Sequence, residues 1–172
     1  MPMRWSRTLP GPKAVMGRSL LNRPARLHAA LATSTDPDND MLDAVEAGPA
    51  DRVMVVGGTT ADLLCASIRR GCRGAVGLAT APAHPDPADV VLAPRVSTAE
   101  EALGIARSAL RALRGSARHG RLVVRLIGQG AQVRARELAL ALAALGFARI
   151  QIGRRAGGVL VTGECRRTGL AG

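Results

Sequence analysis

Apolar and polar positions along the chain fall into short apolar runs that alternate with amphipathic stretches. Val53 to Val56 (VMVV) is an unbroken apolar run that stops at Gly57-Gly58. The spacing then predicts a helix over Thr60 to Arg70, opened by Thr59 or Thr60, with Leu63, Leu64, Ser67 and Ile68 on its buried face and Gly71 as its stop. A strand without polar interruptions needs cover on both faces, the habit of a parallel sheet flanked by helices. Further strands are predicted at Gly74 to Ala79, Asp89 to Ala93 and Arg121 to Ile127. Between the first two of these, TAPAHPDPAD is too short and too rich in proline to hold a helix.

Two stronger helical patterns follow. Ser97 to Leu113 carries Glu100 and Glu101 in its first turn and a stripe of Ala102, Leu103, Ala106, Leu110 and Leu113, with Ser97 as the expected cap. Ala131 to Leu145 places Leu138, Leu142 and Leu145 on one side and ends at Gly146. Ahead of the central strand, Asp40 is expected to cap a short helix over Met41 to Ala47, closed by Gly48-Pro49. The tail changes period: Ala148 to Ile152 alternates, RRAGG turns, and Val159 to Thr162 returns as the second strand of an antiparallel hairpin.

Composition refines this picture. With 47% hydrophobic but only 1% aromatic residues, the core has to be built from Ala, Val, Leu and Ile. The net charge of +11 is carried almost wholly by arginine, and Lys13 is the only lysine. Met1 to Thr35 holds Arg4, Arg7, Lys13, Arg18, Arg23 and Arg26 and no acid, so residues 1–39 are expected to form a basic, poorly ordered extension before a domain over 40–172. Such an arm suits weak phosphate contact with nucleic acid, or organelle targeting as the alternative to a cytoplasmic location. A solvated arginine-rich surface remains the favoured reading of the charge. Aromatic platforms for stacking bases are almost absent. Cys65, Cys72 and Cys165 form no C-x-x-C pair, and His28, His84 and His119 are scattered, so neither a disulfide framework nor a metal site is expected. No apolar run is long enough to span a bilayer.

Three segments together resemble a class I S-adenosylmethionine-dependent methyltransferase. VMVVGGTTADLLCASIRRGC is similar to that family's first strand, glycine loop and first helix. ADVVLAPRVSTAEEALGIARSALRALRGSARHGRLVVRL is similar to its strand ending near the methyl-transfer centre, with the following helix and strand. ALAALGFARIQIGRRAGGVLVTGE is similar to its last helix and terminal hairpin. The resemblance covers Met41 to Arg167 and implies an α/β, Rossmann-like, mostly parallel sheet with helices on both faces and a C-terminal antiparallel hairpin. Because the chain between Ala79 and Asp89 lacks the family's next helix and third strand, the sheet is expected to be shortened at one edge.

By the same resemblance, S-adenosylmethionine is the expected cofactor, held by Val56, Gly57, Gly58, Thr59, Thr60, Ala79 and Ala93. Catalytic residues and methyl acceptor are not indicated. Gly57 matches the first of the family's three spaced loop glycines, whereas Thr59 and Ala61 stand at the other two. Ala79 stands where the family's ribose-binding acid usually closes the second strand. After the third strand comes Pro94-Arg95 in place of an Asn-Pro-Pro-Tyr type motif. Asp62 and Glu164 read as surface carboxylates, and Arg95 and Gln129 are expected beyond strand ends. These departures leave an inactive pseudo-methyltransferase with a binding or scaffolding role open beside the enzyme, and a basic nucleic-acid-associated protein as a third reading.

Overall fold

In a computed structural model the described residues are 37–58, 60–116 and 118–165. The expected basic extension therefore lies outside them apart from residues 37–39, and so does Thr59. The elements are α1 (Pro37–Ala44), β1 (Arg52–Val56), α2 (Ala61–Arg69), β2 (Gly74–Leu78), β3 (Val90–Val96), α3 (Ala99–Arg114), β4 (Gly120–Leu126), α4 (Ala131–Ala144), β5 (Phe147–Arg155) and β6 (Gly158–Cys165). The strands form one six-stranded sheet in the order β2-β1-β3-β4-β6-β5. The first four are parallel; β6 runs antiparallel to β4, and β5 antiparallel to β6.

Alternation along β1 explains why its run had to be apolar throughout. Val53 and Val55 join Met41, Leu42 and Leu63 in the core under α1 and α2. Met54 and Val56 join Val91, Ala93 and the α3 and α4 side chains on the other face. All four β1 residues from Val53 to Val56 are at most 2% exposed. The lack of aromatics is met by close approach: Ala102, Ala106, Ala109 and Ala112 of α3 are 0–1% exposed, so small side chains bring the helix down onto the sheet.

Between β2 and β3, residues 79–89 contain neither helix nor strand. The connector passes over the α3 face, where Ser108 Oγ donates to the Pro82 carbonyl at 2.7 Å and the Ala88 N–H to the Ala112 carbonyl at 3.2 Å. The chain thus leaves β1 over one face through α2 and returns in the opposite direction over the other. The two crossovers share one hand. The sheet consequently ends at β2, and the expected shortened edge is present.

Several boundaries differ from expectation. The first helix begins at Pro37, so Asp40 lies in its first turn and does not cap it. Two arginines of β4 hold the start of this helix and the turn that follows it. Arg125, 6% exposed, reaches the Pro37 carbonyl and, at 3.1 Å, the Asp38 carboxylate; Arg121 reaches the Val45 carbonyl and Asp51, each at 2.5 Å. Thr98, and not Ser97, caps α3: its side chain accepts from the Glu101 N–H at 3.2 Å, while the Glu101 carboxylate accepts from the Ser97 N–H at 3.1 Å. Strand β3 continues to Val96 through a register shift between Ala93 and Val96. Arg95 therefore sits within a strand and not beyond one. The hairpin is longer than its alternating core, with a shift between Ala148 and Gln151 where Arg149 takes φ 49°.

Candidate functional site

Order reverses at β1: from it the chain moves to β2 on one side, and from β3 it moves to β4 on the other. In open α/β sheets the crevice beyond the carboxyl ends of two such strands is where ligands sit. Here it is framed by Gly57, Gly58 and Thr60 after β1, by the end of β3 up to Ser97, and by the turn after β4.

Gly57 adopts φ +115°, a conformation that L side chains rarely adopt, and its N–H donates to the Leu78 carbonyl of β2 at 2.8 Å. The loop therefore leaves β1 while still tied to the neighbouring strand. A Cβ built on either Gly57 or Gly58 would meet nothing within 4 Å. Gly57 is itself buried and Gly58 exposed, so it is the Gly58 backbone that opens to the surface. Thr60, the cap of α2, makes no side-chain capping bond. Its hydroxyl instead lies over β2, 2.7 Å from where a Cβ of Gly77 would be. The glycine at Gly77 is what lets Thr60 settle there.

The other expected residues are placed as follows. Val56 ends β1, whereas Ala93 lies midway along β3, just before its register shift; they are 2% and 0% exposed, so neither side chain is open to the crevice. Ala79 directly follows β2 and is exposed, with no side-chain acceptor to offer. Thr59 is outside the described residues. Arg95 is exposed on β3, and Gln129 is exposed in the turn between β4 and α4. That turn is held by Arg134, whose guanidinium donates to the Gln129 and Ile127 carbonyls, each at 2.7 Å. Sequence patterns gave no sign of this clamp, since its acceptors are backbone atoms.

The acids at the rim are already engaged or on the surface. Glu101 is used by the α3 cap, Asp62 is exposed in the first turn of α2, and Glu164 lies at the opposite end of the sheet, 3.6 Å from Arg149. Burial, with Asp51 nearby, pushes the Cys72 thiol up, and burial does the same for Cys165. Cys65 is exposed on α2. Among the described residues no group of three or more His, Cys, Asp or Glu could hold a metal ion, and no helix is long and apolar enough to cross a membrane.

The residues present fit one half of S-adenosylmethionine. The glycine turn leaves main-chain atoms of Gly58 accessible to an amino-acid portion. The end of β2 offers no carboxylate for the ribose.

No protein-family model matches the chain, and no curated protein sequence matches it. Its three-dimensional likenesses are consistent in kind. A ribosomal protein L11 methylase from Lactobacillus delbrueckii subsp. bulgaricus superposes with a TM-score of 0.58 at 16% identity, over 76% of this chain and 77% of that one. An S-adenosylmethionine-dependent O-methyltransferase from Thermotoga maritima gives 0.57 at 12% identity, over 77% and 66%. A 1,6-didemethyltoxoflavin-N1-methyltransferase from Burkholderia thailandensis, solved with S-adenosylhomocysteine, gives 0.54 at 15% identity, over 81% of each chain. Taken with the strand order and the terminal hairpin, these likenesses identify the fold of this chain as that of the class I, Rossmann-like S-adenosylmethionine-dependent methyltransferases.

Proposed function

We propose that this protein binds S-adenosylmethionine over the Gly57-Gly58 loop and acts as a methyltransferase-like protein on an acceptor of unassigned class. The observation that carries the reading is the glycine turn at the point where the strand order reverses, with Gly58 exposed and room for a Cβ at both Gly57 and Gly58. Main-chain atoms of Gly57, Gly58 and Thr60 would hold the amino-acid portion, and the first turn of α2 offers N–H groups beside it. When bound, the cofactor supplies a sulfonium-activated methyl group. The chain's own part is to orient that ligand and exclude water, which suffices for transfers to an already nucleophilic acceptor.

Ala79 favours a second reading, an inactive relative that keeps the ligand site or only the fold. Without a carboxylate at that position, the paired charge-assisted hydrogen bonds to the ribose hydroxyls are lost. Calorimetry with S-adenosylmethionine and S-adenosylhomocysteine separates the cases. Binding tighter than about 1 mM, or ~4 kcal/mol, is expected, and weaker binding of both sinks the reading. Gly58→Val, whose side chain would enter open space without disturbing the fold, should abolish the signal. Ala79→Asp should strengthen it. Binding without methyl transfer across small-molecule, peptide and nucleic-acid acceptors would favour the inactive form.

A further inference from the structure

The outward face of α3 carries charge of one sign over its second half. Arg107, Arg111 and Arg114 are exposed at spacings of four and three residues, which sets them in one row along the helix. The row is turned away from Ala102, Ala106, Ala109 and Leu113, which meet the sheet. Arg118, also exposed, adds a fourth guanidinium beside the helix end. Its N–H donates to Ser116 Oγ at 2.9 Å, and that hydroxyl in turn donates to the buried Asp89 carboxylate. Attraction to the helix dipole accounts for Arg111 and Arg114, which lie in the last turn. It does not account for Arg107, or for Arg118 beyond the helix.

No acid of the chain neutralises this row. Arg70, Arg121, Arg125 and Arg149 are paired with Asp43, Asp51, Asp38 and Glu164. Among the described residues the four arginines of the α3 face have no such partner. Glu100, the acid on the same face of the helix, lies two turns before Arg107. Outside the described residues the only acid is Asp36, next to Pro37, whose carbonyl Arg125 holds. Like charges three and four residues apart on a helix repel one another. The row therefore works against the stability of α3, and nothing else in the chain can offset it.

We infer that this face of α3 docks the phosphate backbone of a double-stranded nucleic acid. Guanidinium groups match phosphate oxygens two at a time. Arg107 and Arg114 stand about 10 Å apart along the helix axis, a length over which one strand of a duplex presents roughly three phosphates. An acidic polypeptide offers the sign of charge without that fixed spacing. A lipid surface fits less well, because no large apolar side chain is exposed between Glu100 and Arg114 to sink into it. An unpaired strand would need aromatic platforms, and Phe147, the one aromatic among the described residues, is 5% exposed. Contact is then with phosphates alone, without readout of sequence. Because α3 runs back from the crevice rim at Thr98, these arginines lie toward the strand starts. The inference holds whether or not the crevice takes its ligand.

The test measures fluorescence anisotropy of short DNA duplexes of two unrelated sequences with the full chain. Both should bind alike, tighter than about 100 µM near 0.1 M salt, with affinity falling steeply as salt rises. Arg107→Gln, Arg111→Gln and Arg114→Gln together should weaken binding at least about tenfold and flatten the slope of log affinity against log salt by roughly 2–3. Arg69→Gln, Arg154→Gln and Arg155→Gln remove equal charge from exposed sites on α2 and the hairpin. That control should lose less than about threefold and keep the slope. All six positions are exposed, and circular dichroism should show both variants folded. Absence of wild-type binding overturns the proposal. So do equal losses in the two variants, which would assign binding to diffuse charge or to the basic residues before Thr35. So does polyglutamate, or a phosphatidylserine vesicle, that displaces the chain as well as unlabelled duplex does at equal charge.

Discussion

Two adjacent glycines do different work at the mouth of the crevice. Gly57 needs its conformation, with φ +115°, while Gly58 has no such demand and open space where a side chain would go. Gly57→Ala should therefore cost about 1–3 kcal/mol in urea denaturation. Gly58→Ala should be neutral or slightly stabilising, through a less flexible unfolded chain. Equal losses at both positions would mean that the loop has another conformation. The turn itself was legible because VMVVGG places glycines between a buried strand and a helix. The fit of Thr60 over Gly77 was not, since it joins residues of two different elements and leaves no mark in local spacing. The same holds for Arg125, which reads as a surface arginine in RLVVRL until α1 is laid over β4.

At the scale of elements, periodicity located every helix and strand of the described residues and missed some of their ends. Ser97 and Thr98 show why. Each has a glutamate three residues on, Glu100 and Glu101, so both fit the capping spacing. The outcome depends on where β3 releases the chain, and β3 runs on to Val96 because its register shift absorbs Pro94 and Arg95. Proline lacks an N–H for the ladder and is tolerated at such irregularities. Thr98→Ala should thus cost ~1 kcal/mol, or roughly 2–4 °C in thermal midpoint. Ser97→Ala should cost clearly less, since Glu101 bonds the Ser97 backbone N–H at 3.1 Å against 3.5 Å for its hydroxyl. A scan of both variants by circular dichroism decides between the two caps.

For the whole molecule, the strand order could not be read from periodicity alone. Parallel strands, helices on both faces and a closing hairpin were legible. The sequence of neighbours was implied only by the family resemblance, because nothing local encodes which strand lies beside which. The missing margin was legible by length: residues 79–89 are too few and too rich in proline for a helix and another strand. Its consequence was not, since a strand's outer peptide groups carry no signature in its side chains.

That margin sets a rhythm in time as well as in space. Within β2, the amide protons of Val76 and Leu78 point to β1, while those of Ala75 and Gly77 point away from it. In dilute deuterated solvent, proton loss should alternate along the strand, slow at 76 and 78 and rapid at 75 and 77. Equal protection at all four would mean that something covers this edge, turning four consecutive amides into a clock for whatever lies against them.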